Sequence, residues 1–288
     1  MKKQISAEII ADSTCNNHRI TSMVITIPRI VLAEFNTHRA LSRNSSSSRA
    51  IPFAKMVEEI EQNPFIPLRW QKDHSGMQGT EYFTEDEATS LSLKSQWLDA
   101  RNYAIHRAKQ LNDRKVTKQI CNRLLEPFMY QTIICTATEW ENFIALRAHT
   151  DAEIHIQEAA YKVLEALNKS TPIEKGIGEY HIPFGDKFYM PALEIVCKQT
   201  GLSIESVMTR VAIARCARVS YLNFEGKDDY YADIKLFDRL AEAGHMSPFE
   251  HVAIAMNDHN HYGNFVGWKQ YRQLINGENK SDNRIIKR

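Results

Sequence analysis

Asn36-Thr-His-Arg-Ala-Leu-Ser-Arg-Asn-Ser-Ser-Ser-Ser-Arg49 sets three arginines, Arg39, Arg43 and Arg49, among six hydroxyl side chains, one imidazole and two amides. Almost nothing in this stretch belongs in a core. A guanidinium offers a fixed fork of donors that matches phosphate, and serine hydroxyls add short donors beside it. The stretch reads as a donor-rich loop for a nucleotide or another anion, or else as a solvated Ser-rich turn. Just upstream, Ile20 to Ile27 alternates, with Met23, Ile25 and Ile27 on one face and Ser22, Val24 and Thr26 on the other. That alternation predicts a half-buried strand. Pro28 suits the first position of a helix, and Ile30, Val31 and Phe35 give a short one. Strand and helix together deliver His38 and Arg39 into the polar loop.

Working outward, Phe53, Met56, Val57 and Ile60 make one stripe of a helix over 53–62, and residues 63–84 read as a long loop with two prolines and two glycines. Helical patterns return over 84–111, 116–125 (stopped by Pro127) and 140–147. Met129 to Ala137 is β-branched and apolar, a strand or a buried turn. Thr150-Asp-Ala-Glu153 has the form of a capping box for a helix running to about Leu167. Residues 168–192 hold too many prolines and glycines for a helix. Helices follow over 205–217 and 232–243, then the turn Gly244-His-Met-Ser-Pro-Phe-Glu-His251, the apolar run Val252 to Met256, and an aromatic-rich helix over Asn264 to Arg272. The fold class predicted is α+β, an antiparallel sheet flanked by helices.

The chain has 288 residues, 43% of them hydrophobic and 25% charged, an ordinary composition for a globular protein large enough to hold a substantial core. A formal charge of +1 gives no global field for nucleic acid, so any anion site is local and no nucleic-acid partner is expected. Five cysteines without a C-x-x-C pair argue against a disulfide framework or a structural zinc site and for a reducing compartment. No run approaches the ~20 apolar residues of a membrane span, and no signal segment follows Lys2 and Lys3; a cytoplasmic location is expected, with no membrane. His245, His251, His259 and His261 lack the i, i+4 spacing of a helical metal site, so no metal is expected. The dinucleotide-binding G-x-G-x-x-G, the P-loop and the G-x-S-x-G elbow do not occur.

Four segments resemble the flavin-dependent thymidylate synthases. Thr37-His38-Arg39, then Ala40 to Ser46, then Ser47 with Arg49 two residues on, is similar to the family's Arg-His-Arg, seven residues, Ser signature. Arg123-Leu-Leu-Glu-Pro127 resembles its Arg-x-x-Leu-Pro. Asn142-Phe-Ile-Ala-Leu-Arg147 with Ala152-Glu153 resembles its Asn-Phe-x-x-Leu-Arg and following Ala-Gln-x-Glu-Ile. Gly244 to His251, with Arg215 to Ser220 ahead of it, resembles its Gly-His-x-Ser-Pro-Phe-Glu-His. The chain departs from the pattern in four ways. Thr37 replaces the first Arg, Thr136 and Thr138 stand where the family tends to have Asn and Arg, and Glu34 stands where an amide is usual. The Pro-Phe-Glu-His segment follows the signature instead of preceding it, as in a permuted chain or one extended by a partial second copy.

The resemblance implies FAD as cofactor, methylenetetrahydrofolate and NADPH as co-substrates, and a homotetramer with sites between subunits. It implies transfer of a one-carbon unit to C5 of a pyrimidine deoxynucleotide, most simply dUMP to dTMP. Carried over by position, Glu34, Ser47, Arg49, Arg123 and Arg147 would bind the nucleotide, with Arg147 the catalytic cation at the pyrimidine; His38, Arg39, Asn44, Asn142, Ser220 and His251 would hold the flavin. Residues 1–170 would form the synthase-like core with its signature loop 36–49, 171–200 a covering loop or linker, and 201–288 a C-terminal part packed on the core. Two alternatives stay open: a variant that acts on dCMP or leaves a hydroxymethyl group, since a carboxylate at Glu34 accepts from a cytosine amino group, and an inactive nucleotide-binding homologue. Phe265 to Arg284 can also be laid over the signature, giving Arg272, Asn279 and Arg284 the spacing of Thr37, Asn44 and Arg49.

Overall fold

Asn16 and Asn17 both take positive φ, 49° and 64°, and turn strand β1 (Ser6–Cys15) back on β2 (His18–Pro28). Asparagine tolerates this left-handed region, and two such residues in succession match the twist of a tight hairpin. The computed structural model describes residues 3–76, 79–220 and 229–275. In it β2 continues through a 3-10 turn into α1 (Leu32–Phe35), and the chain then forms a short strand, β3 (Ser42–Ser45). With β4 (Tyr130–Ala137) and β5 (Ile173–Glu174) these build a five-stranded sheet in the order β3-β4-β2-β1-β5. The β1–β2, β2–β4 and β3–β4 pairs are antiparallel, and β5 joins the β1 edge in parallel.

Period-two alternation sends the two sets of side chains of the central strands into two different cores. Met23, Ile25 and Ile27 of β2 and Ile133 and Cys135 of β4 pack with Phe143 of α6 (Glu141–Arg147) and with Ile156, Ala159 and Val163 of α7 (Ile154–Lys169). On the other face, Val24 and Ile134 pack against Val207, Val211 and Ile213 of α9 (Ile204–Ala217) and Phe237 of α10 (Tyr230–Ala243). β2 is therefore buried on both faces, not half-buried, because the C-terminal helices cover the side its Ser and Thr residues occupy. In an outlying layer of α2 (Phe53–Gln62), α3 (Glu85–Ser90), α4 (Leu93–Asp113) and α5 (Lys118–Cys121), α2 and α4 build a third core with the 3-10 turn Asn122–Phe128, on Met56, Val57, Ile60, Ile105 and Leu125.

Several local expectations change. The 36–49 stretch is not all loop: Ser42–Ser45 pairs with Thr136–Ile133, and Leu41, His38, Ser42 and Ser48 are buried. The helix expected over 84–111 breaks at Ser92, which takes φ 53°. Thr150 does not cap α7; the Glu153 carboxylate does so itself, accepting from the backbone N–H groups of His155 (2.8 Å) and Ile156 (3.2 Å). The 171–200 stretch carries β5, then β6 (Tyr180–His181) and helix α8 (Met190–Thr200), whose Leu193 and Val196 are buried. After β7 (Ala253–Ala255) and β8 (His261–Tyr262), the Asn264–Arg272 segment is not the expected helix; only its end enters a 3-10 turn, Tyr271–Leu274. The segment forms β9 (Phe265–Val266) and β10 (Trp268–Gln270), separated by Gly267 at φ 70°, and β10 pairs antiparallel with β7. The positive-φ glycine and a non-local strand partner override the helical spacing of the aromatics. Arg272 thus follows a strand where Thr37 follows a helix, so the proposed second copy does not share local structure with the signature; Asn279 and Arg284 lie outside the described residues.

Candidate functional site

Glu34 rides on α1 and Arg147 on the last turn of α6, and the fold brings them together from 113 residues apart in the chain. Arg147 Nη1 donates to Glu34 Oε2 at 3.3 Å, and Arg147 Nε donates to His38 Nε2 at 2.9 Å. His38 is only 6% exposed. Its ring stands edge-on to Phe143, with centroids 5.0 Å apart at 90°, and Phe143 in turn meets Phe35 edge-on. Its carbonyl accepts from Arg43 Nη1, and its imidazole bonds the Asn142 side chain. Burial holds the His38 pKa below the ordinary imidazole value; the Arg147 and Arg43 cations press it the same way, and the Asn142 bond opposes them. His38 is therefore neutral around pH 7. The Arg147 side chain is 23% exposed and that of Glu34 42%, so a charged pair sits at the rim of the core with open donors and acceptors.

A second group lies where the 3-10 turn Asn122–Phe128 meets the Ser-rich segment. Glu126 accepts from Ser48 Oγ at 2.6 Å, pairs with Arg29 at 3.3 Å and approaches Arg123 at 3.9 Å. Asn122 Nδ2 donates to the carbonyls of Ser48 and Ile51 and pins the segment to this turn. Arg29, Ile30, Asn36, Arg123, Glu126 and Pro127 line a cleft of about 420 Å³. Arg49 and Arg39 are exposed and make no hydrogen bond or ion pair with any described residue. Ser47 is half-buried.

The flavin-assigned residues divide. Arg39 and Asn142 face solvent. Asn44 is engaged by the C-terminal part, donating to the Cys216 carbonyl at 2.6 Å and accepting from Ser247 Oγ at 3.3 Å. His251 is fully buried, so it offers no surface to a ligand in this conformation, and its Nε2 has no hydrogen-bond partner. Ser220 ends the 3-10 turn Arg218–Ser220, and its side chain lies outside the described residues. Thr37 donates its hydroxyl to the Glu34 carbonyl at 2.7 Å. Sequence reasoning passed over Arg29, Arg43, Ser48 and Glu126. Ser48 and Arg43 stood in the quoted stretch, but nothing local distinguished them from their neighbours.

His251 belongs to a buried polar seam that crosses the sheet. Its Nδ1 lies 2.9 Å from Thr136 Oγ1, Thr136 Oγ1 lies 2.6 Å from Ser22 Oγ, Ser22 Oγ lies 2.8 Å from His181 Nε2, and His181 Nδ1 lies 2.9 Å from Ser13 Oγ. Beside it Ser42 Oγ accepts from Asn264 Nδ2 (3.2 Å) and Gln270 Nε2 (3.0 Å). Burial pushes the pKa of both His181 and His251 down to about 3. Among the described residues no three histidine, cysteine, aspartate or glutamate side chains are grouped to hold a metal ion, and no helix is long and apolar enough to cross a membrane.

The sequence model of a family described as "Thymidylate synthase complementing protein" matches residues 10–173, more than half of the chain. The Gly244–His251 segment lies outside that match. Among the solved structures similar to the chain are two of one enzyme. Both are of the UMP/dUMP methylase PolB from Streptomyces cacaoi, one bound with 5-Br UMP (15% identity, TM-score 0.46, 58% of this chain and 90% of that one) and one with 5-Br dUMP (15% identity, TM-score 0.44, 58% and 92%). No curated protein sequence matches the chain.

Proposed function

The chain belongs to the thymidylate synthase complementing protein family, that of the flavin-dependent thymidylate synthases, and from that premise we propose that it methylates C5 of a pyrimidine deoxynucleotide, dUMP to dTMP. The one-carbon unit would come from methylenetetrahydrofolate and the reducing equivalents from NADPH through bound FAD. The observation that carries the reading is the convergence of Arg147, Glu34 and His38 at the rim of the first core. A cation held there by two protein contacts is poised to stabilise negative charge developing on a pyrimidine ring, with no reorganisation at the moment of reaction. Arg49 and Arg123, with Ser47, are the donors for the nucleotide phosphate. Arg123 has a side chain 58% exposed and only a long contact to Glu126, which leaves its fork available.

The chain's residues fit an anionic, ring-bearing cofactor at Arg39 and Asn142, both open to solvent. Reduced flavin, when bound, supplies the electrons that turn the transferred carbon into a methyl group and activates the pyrimidine without an enzyme nucleophile. His38, itself buried, backs Arg147 by accepting from its Nε. Sites between subunits of a homotetramer, as the motifs imply, would bring a neighbour's residues to the same rim.

A second reading has its own support. Thr37 has its hydroxyl engaged by the Glu34 carbonyl, and Asn44 and His251 are committed to protein partners. Those are the features of a nucleotide-binding homologue that has lost flavin chemistry. The carboxylate at Glu34 also keeps a dCMP-directed or hydroxymethylating variant in play. One experiment separates the classes: absorbance of the purified protein, as isolated and after adding FAD. A bound-flavin spectrum is expected. A colourless protein that takes up no FAD would overturn the synthase reading in favour of the binding homologue.

A further inference from the structure

The donors of Arg147 are not all free to reach a substrate. Nε is engaged by His38 Nε2 at 2.9 Å and one Nη1 hydrogen by Glu34 at 3.3 Å, so only the outer end of the guanidinium remains. An arginine on the last turn of a seven-residue helix would otherwise sample many rotamers, and holding it in one costs side-chain entropy. His38 is the rigid member of the pair. It is buried, it stands against Phe143, its backbone N–H donates to the Phe35 carbonyl at 3.3 Å, and its own carbonyl accepts from Arg43.

We infer that His38, as its Nδ1–H tautomer, is a positioning residue that aims Arg147 at the pyrimidine. This rests on the functional reading above. The tautomer follows from the bonding: Arg147 Nε is donor only, so His38 Nε2 accepts and the proton sits on Nδ1. A protonated imidazole has no lone pair for Arg147. It would also face two cations directly, Arg147 from α6 and Arg43 from β3, with Arg39 beyond Arg43 and Glu34 the carboxylate on the far side of Arg147. The device therefore works only while His38 is neutral, which its burial and those cations secure.

The test is calorimetric binding of dUMP to the full chain from pH 8 to pH 5, for wild type, His38→Gln and His38→Leu. Glutamine keeps an acceptor and cannot titrate; leucine removes the acceptor. At pH 8 His38→Gln should bind within about threefold of wild type, while His38→Leu should lose about tenfold, the worth of one charge-assisted hydrogen bond. As pH falls, wild type should lose affinity relative to His38→Gln. Taking that ratio cancels the nucleotide phosphate's own titration near pH ~6. A flat ratio, or wild-type affinity in His38→Leu at pH 8, would overturn the inference. A ligand-free arm follows the His38 pKa by NMR in wild type and Arg147→Ala: removal of the guanidinium should raise it, and an unchanged value would also overturn the inference. Failure of wild type to bind dUMP or dCMP would defeat the functional reading, and the NMR arm would then decide alone whether His38 holds Arg147.

Discussion

Thr136 Oγ1 and His251 Nδ1 lie 2.9 Å apart, a bond that ties β4 to a turn 115 residues further along the chain. It joins the span matched by the family to a segment beyond it. The two imidazoles of the seam are packed against hydroxyls and apolar side chains, so the C-terminal layer can sit on the sheet only while both are neutral.

Acid should therefore loosen the protein through this seam. The folded pKa of His181 and of His251 is about 3, below an unfolded value of 6.5. Burial dominates both; at His181 Asp12 acts upward and Lys175 downward, and at His251 the other histidine acts downward. A folded pKa below the unfolded one means that the unfolded chain binds more protons, so stability falls as pH drops from about 6.5 toward 3. At pH 5 each histidine should cost roughly 2 kcal/mol relative to pH 7.5. Urea denaturation at the two pH values checks this, with the His181→Gln, His251→Gln double variant as reference. An equal loss in that variant would place the acid sensitivity elsewhere.

Arg147→Ala should abolish turnover while leaving the fold intact. The side chain lies at the rim of the first core and not in it, and a preorganised transition-state cation of this kind contributes about 3 kcal/mol. kcat/KM should fall by two orders of magnitude or more, with Tm little changed. Near-wild-type activity would mean that another cation serves the ring.

The elements read correctly from the sequence were those whose signal is local. Met23, Ile25 and Ile27 alternate and form a strand; Ala159, Ala160 and Val163 recur at helical spacing and face the core. What the sequence did not disclose depends on distant partners. Ser42–Ser45 looks like solvated loop because its side chains are polar, yet its backbone pairs with β4, and Ser42 is satisfied by Asn264 and Gln270, more than two hundred residues away. The Phe265–Gln270 segment reads as helix until β7 supplies its hydrogen bonds. At the site, the residue types came from motif resemblance, but the contact of Arg147 with His38 and the burial of His251 are consequences of packing that no spacing encodes.

Glu34→Gln should shift base preference. The Glu34 carboxylate is an acceptor only, matched to the exocyclic amine of cytosine, whereas an amide can also donate to the O4 of uracil. In competition assays the variant should raise the ratio of dUMP to dCMP turnover by about tenfold, the effect of converting one unpaired polar contact into a hydrogen bond. A ratio that stays constant would show that Glu34 acts only on Arg147 and does not touch the base.

Asn44→Ala distinguishes two roles for one residue. The motif resemblance gives Asn44 to the flavin, whereas its amide donates to the Cys216 carbonyl at the end of α9 and accepts from Ser247 in the turn before β7. Both contacts bridge the β3 edge of the sheet to the C-terminal layer. Removing the amide leaves the Cys216 carbonyl without this donor and breaks the second link as well, a loss expected to cost about 1–3 kcal/mol. The prediction is a lower Tm for Asn44→Ala in protein stripped of ligands, with FAD affinity reduced no more than the loss of folded protein explains. Asn44→Asp serves as the companion variant. It keeps the acceptor for Ser247 and removes the donor for Cys216, so most of the Tm loss should remain if the Cys216 bond carries the stability. The opposite pattern, an unchanged Tm with FAD affinity weakened tenfold or more in both variants, would assign Asn44 to the cofactor and require the C-terminal turn to move aside when flavin binds.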